Sequence, residues 1–122
     1  MARTLVALLL AGAALGVVAG GAAAHGMLDR TDPRAGGAVK TVPSQVKLWF
    51  TGALEPAYSR VQVLDAAGKR MDLGDGGVDA SNHALLRVSV PALPPGAYRV
   101  VWRVLSVDSH VTEGQFSFQV VR

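Results

Sequence analysis

Cysteine is absent from this chain of 122 residues. Its absence excludes a disulfide scaffold, a thiolate metal site, a cysteine nucleophile and a lipid anchor attached through cysteine. Sulfur of any kind is scarce, since beyond Met1 only Met27 and Met71 carry it. Aromatic residues make up 6% of the chain, so the places where they cluster are informative. Charge is sparse too: 17% of residues, with Lys+Arg 12 against Asp+Glu 9 and no basic run. The resulting net charge of +3 is mild and interspersed, which gives no support for nucleic-acid binding. What the chain does have is apolar residues, half of the total. That is too many for a disordered chain and, at this length, enough for one domain.

The apolar residues are unevenly spread. Met1 to Ala24 holds a single charge, Arg3, then the Leu5–Leu10 block, then Ala, Gly and Val up to Ala22-Ala23-Ala24. A short basic start, an apolar stretch and a small-residue ending form the pattern of a cleaved export signal. An uncleaved anchor is the competing reading, because about 20 apolar residues can span a bilayer. The glycines at 12, 16, 20 and 21 and the Ala-x-Ala ending favour cleavage after Ala24. The domain then covers residues 25–122 and begins at His25, in the periplasm or another extracellular or cell-envelope space.

After Ala24 no segment shows a helical period, and short alternating runs dominate. Gln45–Thr51 places Val46, Leu48 and Phe50 on one face, with Lys47 and Trp49 on the other. Arg60–Leu64 alternates, the turn at 65–68 follows, and Lys69–Leu73 can return as a short strand. Residues 74–82 read as a loop. His83–Val90 is the next strand. Pro91, Pro94 and Pro95 exclude a central strand there. Ala97–Val107 puts Tyr98, Val100, Trp102, Val104 and Ser106 on one face, and Gln115–Val121 does the same for Phe116, Phe118 and Val120. About seven short strands at even spacing predict an all-β fold, an Ig-like or Greek-key antiparallel β-sandwich. A single barrel is the alternative. Trp49 and Trp102 are expected in or at the edge of the core.

Three histidines exist: His25, His83 and His110. As an N-terminus, His25 offers its α-amine and imidazole Nδ1 to one metal ion as a chelate. The α-amine titrates near 8, so a metal displaces its proton at neutral pH. Asp108-Ser109-His110 supplies a carboxylate and an imidazole two residues apart, which an extended segment projects to one side. Three nitrogens and one oxygen in a plane suit Cu(II), whereas Zn(II) favours a tetrahedron. Cu(I) prefers sulfur, so with two methionines and no cysteine a methionine-rich Cu(I) site is not expected. Thr112 would continue the i, i+2 row and support the site from behind. Glu113 is expected to face solvent and His83 to lie at a surface or strand edge. Asp72, Asp75 and Asp79 lack the calcium-loop pattern and read as a polar turn.

From His25 onward the chain resembles the CopC/YobA family of exported, copper-binding β-sandwich domains. The resemblance rests on His25 after the cleavage site, Pro33 within LDRTDPRAGGAV, then VKLWFTGAL, LPPGAYRVVWRVLS and DSHVTEGQFSFQV in the family's order. It implies one Cu(II) per chain, held by His25, Asp108 and His110. It also implies a role in copper resistance, homeostasis or delivery to a membrane copper transporter of the CopD type, with the membrane touched only by the signal segment. The chain is expected to act as a monomer. Some family members carry a methionine-rich Cu(I) loop, but the matching stretch LDAAGKRMDLGDGG has Met71 alone.

Two other readings compete. An N-terminal His with a second His on a β-sandwich is similar to the copper brace of oxidative enzymes. Against it, a carboxylate in the third position favours Cu(II) and disfavours the Cu(I) state that meets oxygen. The last reading is an Ig-like structural module that binds no metal.

Overall fold

The computed structural model describes residues 27–122. The proposed signal segment and His25 lie outside the described residues. Eight strands form in chain order: β1 (Leu28–Asp32), β2 (Ala38–Val39), β3 (Gln45–Phe50), β4 (Arg60–Asp65), β5 (Gly77–Val78), β6 (Leu85–Ser89), β7 (Gly96–Leu105) and β8 (Val111–Val120). One turn of 3-10 helix, Pro56–Tyr58, precedes β4. They make two four-stranded sheets, β1-β3-β6-β5 and β2-β8-β7-β4. Every pairing is antiparallel except β2 with β8, which is parallel over two residues. The expected all-β sandwich is therefore present, with one mixed sheet.

The alternating pattern explains which faces meet. Val46, Leu48 and Phe50 of β3 are buried, as are Tyr98, Val100, Trp102 and Val104 of β7, and Phe118 and Val120 of β8. With Val61, Val63, Leu86 and Val88 they form one continuous core between the sheets. Phe118 is fully buried and stacks on Tyr98 at 5.6 Å between ring centroids. The Tyr98 hydroxyl donates to the Pro94 carbonyl at 2.5 Å, which ties the proline-rich crossing to β7.

Several expectations are corrected. Trp49 is on the outer face of β3, not in the core; the Arg30 guanidinium lies 3.7 Å over its ring. The cross-strand pair Arg30–Trp49 makes that stacking possible. Trp102 is in the core, edge-to-face with Phe50 at 5.3 Å. Residues 69–73 do not form a strand. They make one bridge, Leu64–Arg70, because Asp72 turns its carboxylate back to accept from the Val63 amide at 2.8 Å. Asp72 and Asp79 accept from local groups, the Gly74 and Ser81 amides, as a polar turn should, whereas Asp75 reaches across to accept from the Ser89 amide and hydroxyl on β6. β8 starts at Val111, four residues before the sequence suggests.

Candidate metal centre

β7 and β8 are joined by ten successive residue pairs, from Gly96–Val120 to Leu105–Val111. The hairpin therefore closes tightly, and residues 106–110 form its tip. Ser106 is buried and bridges to Leu54 of the neighbouring segment. The Ser109 amide donates to the Ser106 carbonyl at 2.9 Å, and the Ser106 amide donates to the His110 carbonyl at 2.9 Å. Ser109 takes a positive φ of 73° to complete the turn, a conformation that side chains other than glycine seldom adopt.

This turn, not an extended strand, brings Asp108 and His110 together. His110 Nδ1 lies 3.2 Å from Asp108 Oδ1, and the two side chains are 73% and 68% exposed. The Ser106 hydroxyl donates to the Asp108 carboxylate and accepts from the His110 amide at 3.1 Å. One buried hydroxyl thus holds both residues. The same Ser106 hydrogen bond, with the one from His110, holds the Asp108 carboxyl below the usual carboxylate range. Asp108 is accordingly an anion at neutral pH, beside an imidazole and open to solvent. Sequence reasoning read Ser106 only as the last residue of an apolar face. Its identity as a hydroxyl at an inward position was the available signal.

Ligand atoms bound side by side on one metal, each about 2.0–2.1 Å away, sit roughly 3 Å apart. The Asp108–His110 separation fits that bite. Among the described residues, no group of three or more His, Asp or Glu side chains surrounds a common point, so the hairpin offers a pair of ligands. Thr112 does not extend the row. It sits opposite Val104, and its Oγ1 is buried without a hydrogen-bond partner among the described residues. Glu113 faces solvent, 67% exposed, near Arg103.

The first described residues reach the same end of the sandwich. Thr51 donates its amide to the Met27 carbonyl at 2.7 Å, and Leu28 pairs with Phe50. Three residues past Thr51, Leu54 bridges to Ser106, while Val107 donates to the Ala53 carbonyl at 3.1 Å. His83 is exposed at this end too; its carbonyl accepts from the Leu54 amide at 2.8 Å. Met27 and Met71 are half-buried and pack against the core. No helix among the described residues is long and apolar enough to cross a membrane.

The sequence and the fold both match known proteins. The CopC domain profile matches residues 28–121. Copper resistance protein C from Escherichia coli is 30% identical over 121 residues, covering 93% of this chain and 94% of that protein. The copper transport protein CutJ of Bacillus subtilis is 26% identical over 98 residues; the match takes in 80% of this chain and only 18% of CutJ's length. In three dimensions, CopC from Methylosinus trichosporium OB3b superposes with a TM-score of 0.71 at 38% identity, covering 79% of this chain and 93% of that one. The extent of the match leaves one conclusion: this chain belongs to the CopC family.

Proposed function

We propose that this protein captures Cu(II) outside the cytoplasm and holds it between the amine and imidazole of His25, the carboxylate of Asp108 and the imidazole of His110. The carrying observation is the Asp108–His110 pair, anchored by one buried serine at the hairpin tip. The path of the chain supports the third ligand. His25 is two residues before Met27, a reach of about 7 Å, and Met27 lies at the hairpin's end of the sandwich. Residues 1–24 act as the export signal, and residues 25–122 are the working domain, a monomer in the periplasm or envelope space. It makes and breaks no covalent bond; the ion is its cargo, passed to a membrane copper transporter of the CopD type. With Met27 and Met71 the only sulfur-bearing residues after residue 24, no methionine-rich Cu(I) site is expected beside the Cu(II) site.

The test is a Cu(II) titration of protein beginning at His25, repeated across pH. One ion binds per chain at pH 7, and affinity falls steeply below about pH 6, because amine and imidazole must shed protons to bind. Asp108 contributes nothing to that fall. Its carboxyl is held low, so it stays charged throughout the window and is lost as a ligand only in stronger acid. No tight binding at pH 7, or a flat profile from pH 7 to 5, rejects this ligand set.

Ser106 acts through the two ligands it holds. Ser106→Ala is expected to weaken Cu(II) binding by roughly tenfold to a hundredfold, the range for partners behind metal ligands. The fold should lose only about 1 kcal/mol, the worth of an ordinary hydrogen bond. Calorimetric titration and thermal melting, measured on the same preparation, separate the two effects.

A further inference from the structure

The outer face of the β4-β7-β8 sheet carries an arrangement that copper binding does not explain. Arg60 and Arg103 are directly opposite each other on neighbouring strands, and both point outward. Like charges in that register destabilise a sheet. Arg99 adds a third cation on the same face of β7. The acid that lines this surface is Glu113, 3.4 Å from Arg103, with both side chains more than half exposed. So exposed a pair is worth little and leaves the cations available.

The two arginines also line a groove. One stretch, of about 490 Å³, runs over Gln62, Val101 and Gln115. A second, of about 320 Å³, shares Arg60 and Arg103 and continues to Tyr58, Leu105 and Val111. This second stretch ends beside the hairpin tip, where the surface turns apolar. Tyr58 is 65% exposed, Val107 59% and Val111 53%. Val107 and Val111 directly flank Asp108 and His110 in the chain. Tyr58 and Val111 line this stretch together, so their exposed apolar surface is open to whatever occupies it.

We propose that this groove docks an acidic protein segment bearing an apolar side chain, belonging to the protein that takes the copper ion. Its carboxylates would pair with Arg60 and Arg103 in the planar, two-pronged way guanidinium groups favour. Its apolar side chain would cover Tyr58, Val107 and Val111. The docked segment would then end next to Asp108 and His110, where a donor group can reach the ion they hold. Charge complementarity selects an anionic occupant, and the concave shape favours a peptide over the flat face of a bilayer. The identity of the occupant as a copper recipient rests on the function proposed above; the docking itself does not.

The test therefore uses metal-free protein beginning at His25, since the core is built wholly from the described residues. The probes are the blocked peptide EDLFDE and its basic counterpart KKLFKK, followed by backbone NMR. The expected result is saturable shifts from EDLFDE at the amides of Arg60, Arg103 and Val111, weakening as salt is raised, with none from KKLFKK. Arg60→Glu combined with Arg103→Glu is expected to lower EDLFDE affinity at least about tenfold. Equal binding of both peptides, or shifts confined to other faces, overturns the proposal. So does an arginine-dependent affinity for phosphatidylglycerol vesicles with no response to EDLFDE, which would make the face a membrane contact. Because no copper is present, these outcomes are independent of whether the hairpin loads the metal.

Discussion

One extra residue placed ahead of His25 is expected to lower Cu(II) affinity by about a hundredfold or more, and to change the nitrogen-rich tetragonal EPR signal. The reasoning is specific to the first residue. Its amine and Nδ1 close a chelate ring on one ion only while the amine is free. An added residue turns that amine into an amide, so the amine–imidazole ring of His25 can no longer close, and any new chelate uses the added residue's amine in a different geometry. Two of the four proposed donors are then weakened at once, leaving the Asp108–His110 pair. Removing one group behind a metal ligand already costs tenfold to a hundredfold, so disabling a chelating ligand exceeds that. The buried core is built from residues 46–120, so thermal stability of the metal-free protein should not change. Identical signals from the two proteins would remove His25 from the site and leave a sandwich with an unexplained Asp-x-His.

Phe118→Ala is expected to have the largest effect on the fold, about 3–5 kcal/mol. Phe118 is fully buried and stacks on Tyr98. Its strand, β8, is the partner that carries the hairpin to the metal site. Truncation leaves a cavity between the two sheets and strips Tyr98 of its stacking partner. For a domain of this size each kcal/mol moves the melting temperature by roughly 4–8 °C, so the midpoint should drop by at least about 12 °C. Circular dichroism against temperature measures it. A shift of only a few degrees would mean that the core collapses around the gap, and that β8 is held mainly by its ladder to β7.

What the sequence makes legible follows from the two-residue period of a strand. Where one face is continuously apolar, as at Val46, Leu48 and Phe50 or at Tyr98 to Val104, the strand and its inward face are correctly expected. The early part of β8 is missed because Thr112 and Gly114 occupy its inward positions. A Cβ at Gly114 would lie 2.8 Å from the Trp102 ring; the indole fills the space a larger residue would take. β1 is missed because Asp29 and Arg30 make it look like a loop, whereas an edge strand tolerates charge. β2 and β5, of two residues each, are too short to leave any period.

The site shows the same division. Asp108 and His110 can be named from their spacing, yet the geometry imagined for them was wrong. Ser109 at a positive φ converts a presumed extended row into a turn, and no simple propensity places serine there. Strand alternation puts Trp49 on the face opposite Val46, Leu48 and Phe50, yet an indole is expected in the core or at its edge. The cross-strand Arg30 covers its ring outside, a pairing visible only once β1 and β3 are in register.

The uninterrupted ladder between β7 and β8 has a consequence for the lifetime of the bound ion. Ten consecutive pairs make this hairpin the segment whose amides should exchange with solvent most slowly, and whose local opening is rarest. Asp108 and His110 ride on its tip, so breathing of the scaffold does not separate them. β1, by contrast, is an edge strand five residues long, held from one side alone. Under the proposed coordination, the chain end that precedes β1 is where the complex gives way first. Release is then stepwise: an incoming donor takes the place vacated on the β1 side while the hairpin still grips the ion, and copper changes hands without ever being free in solution.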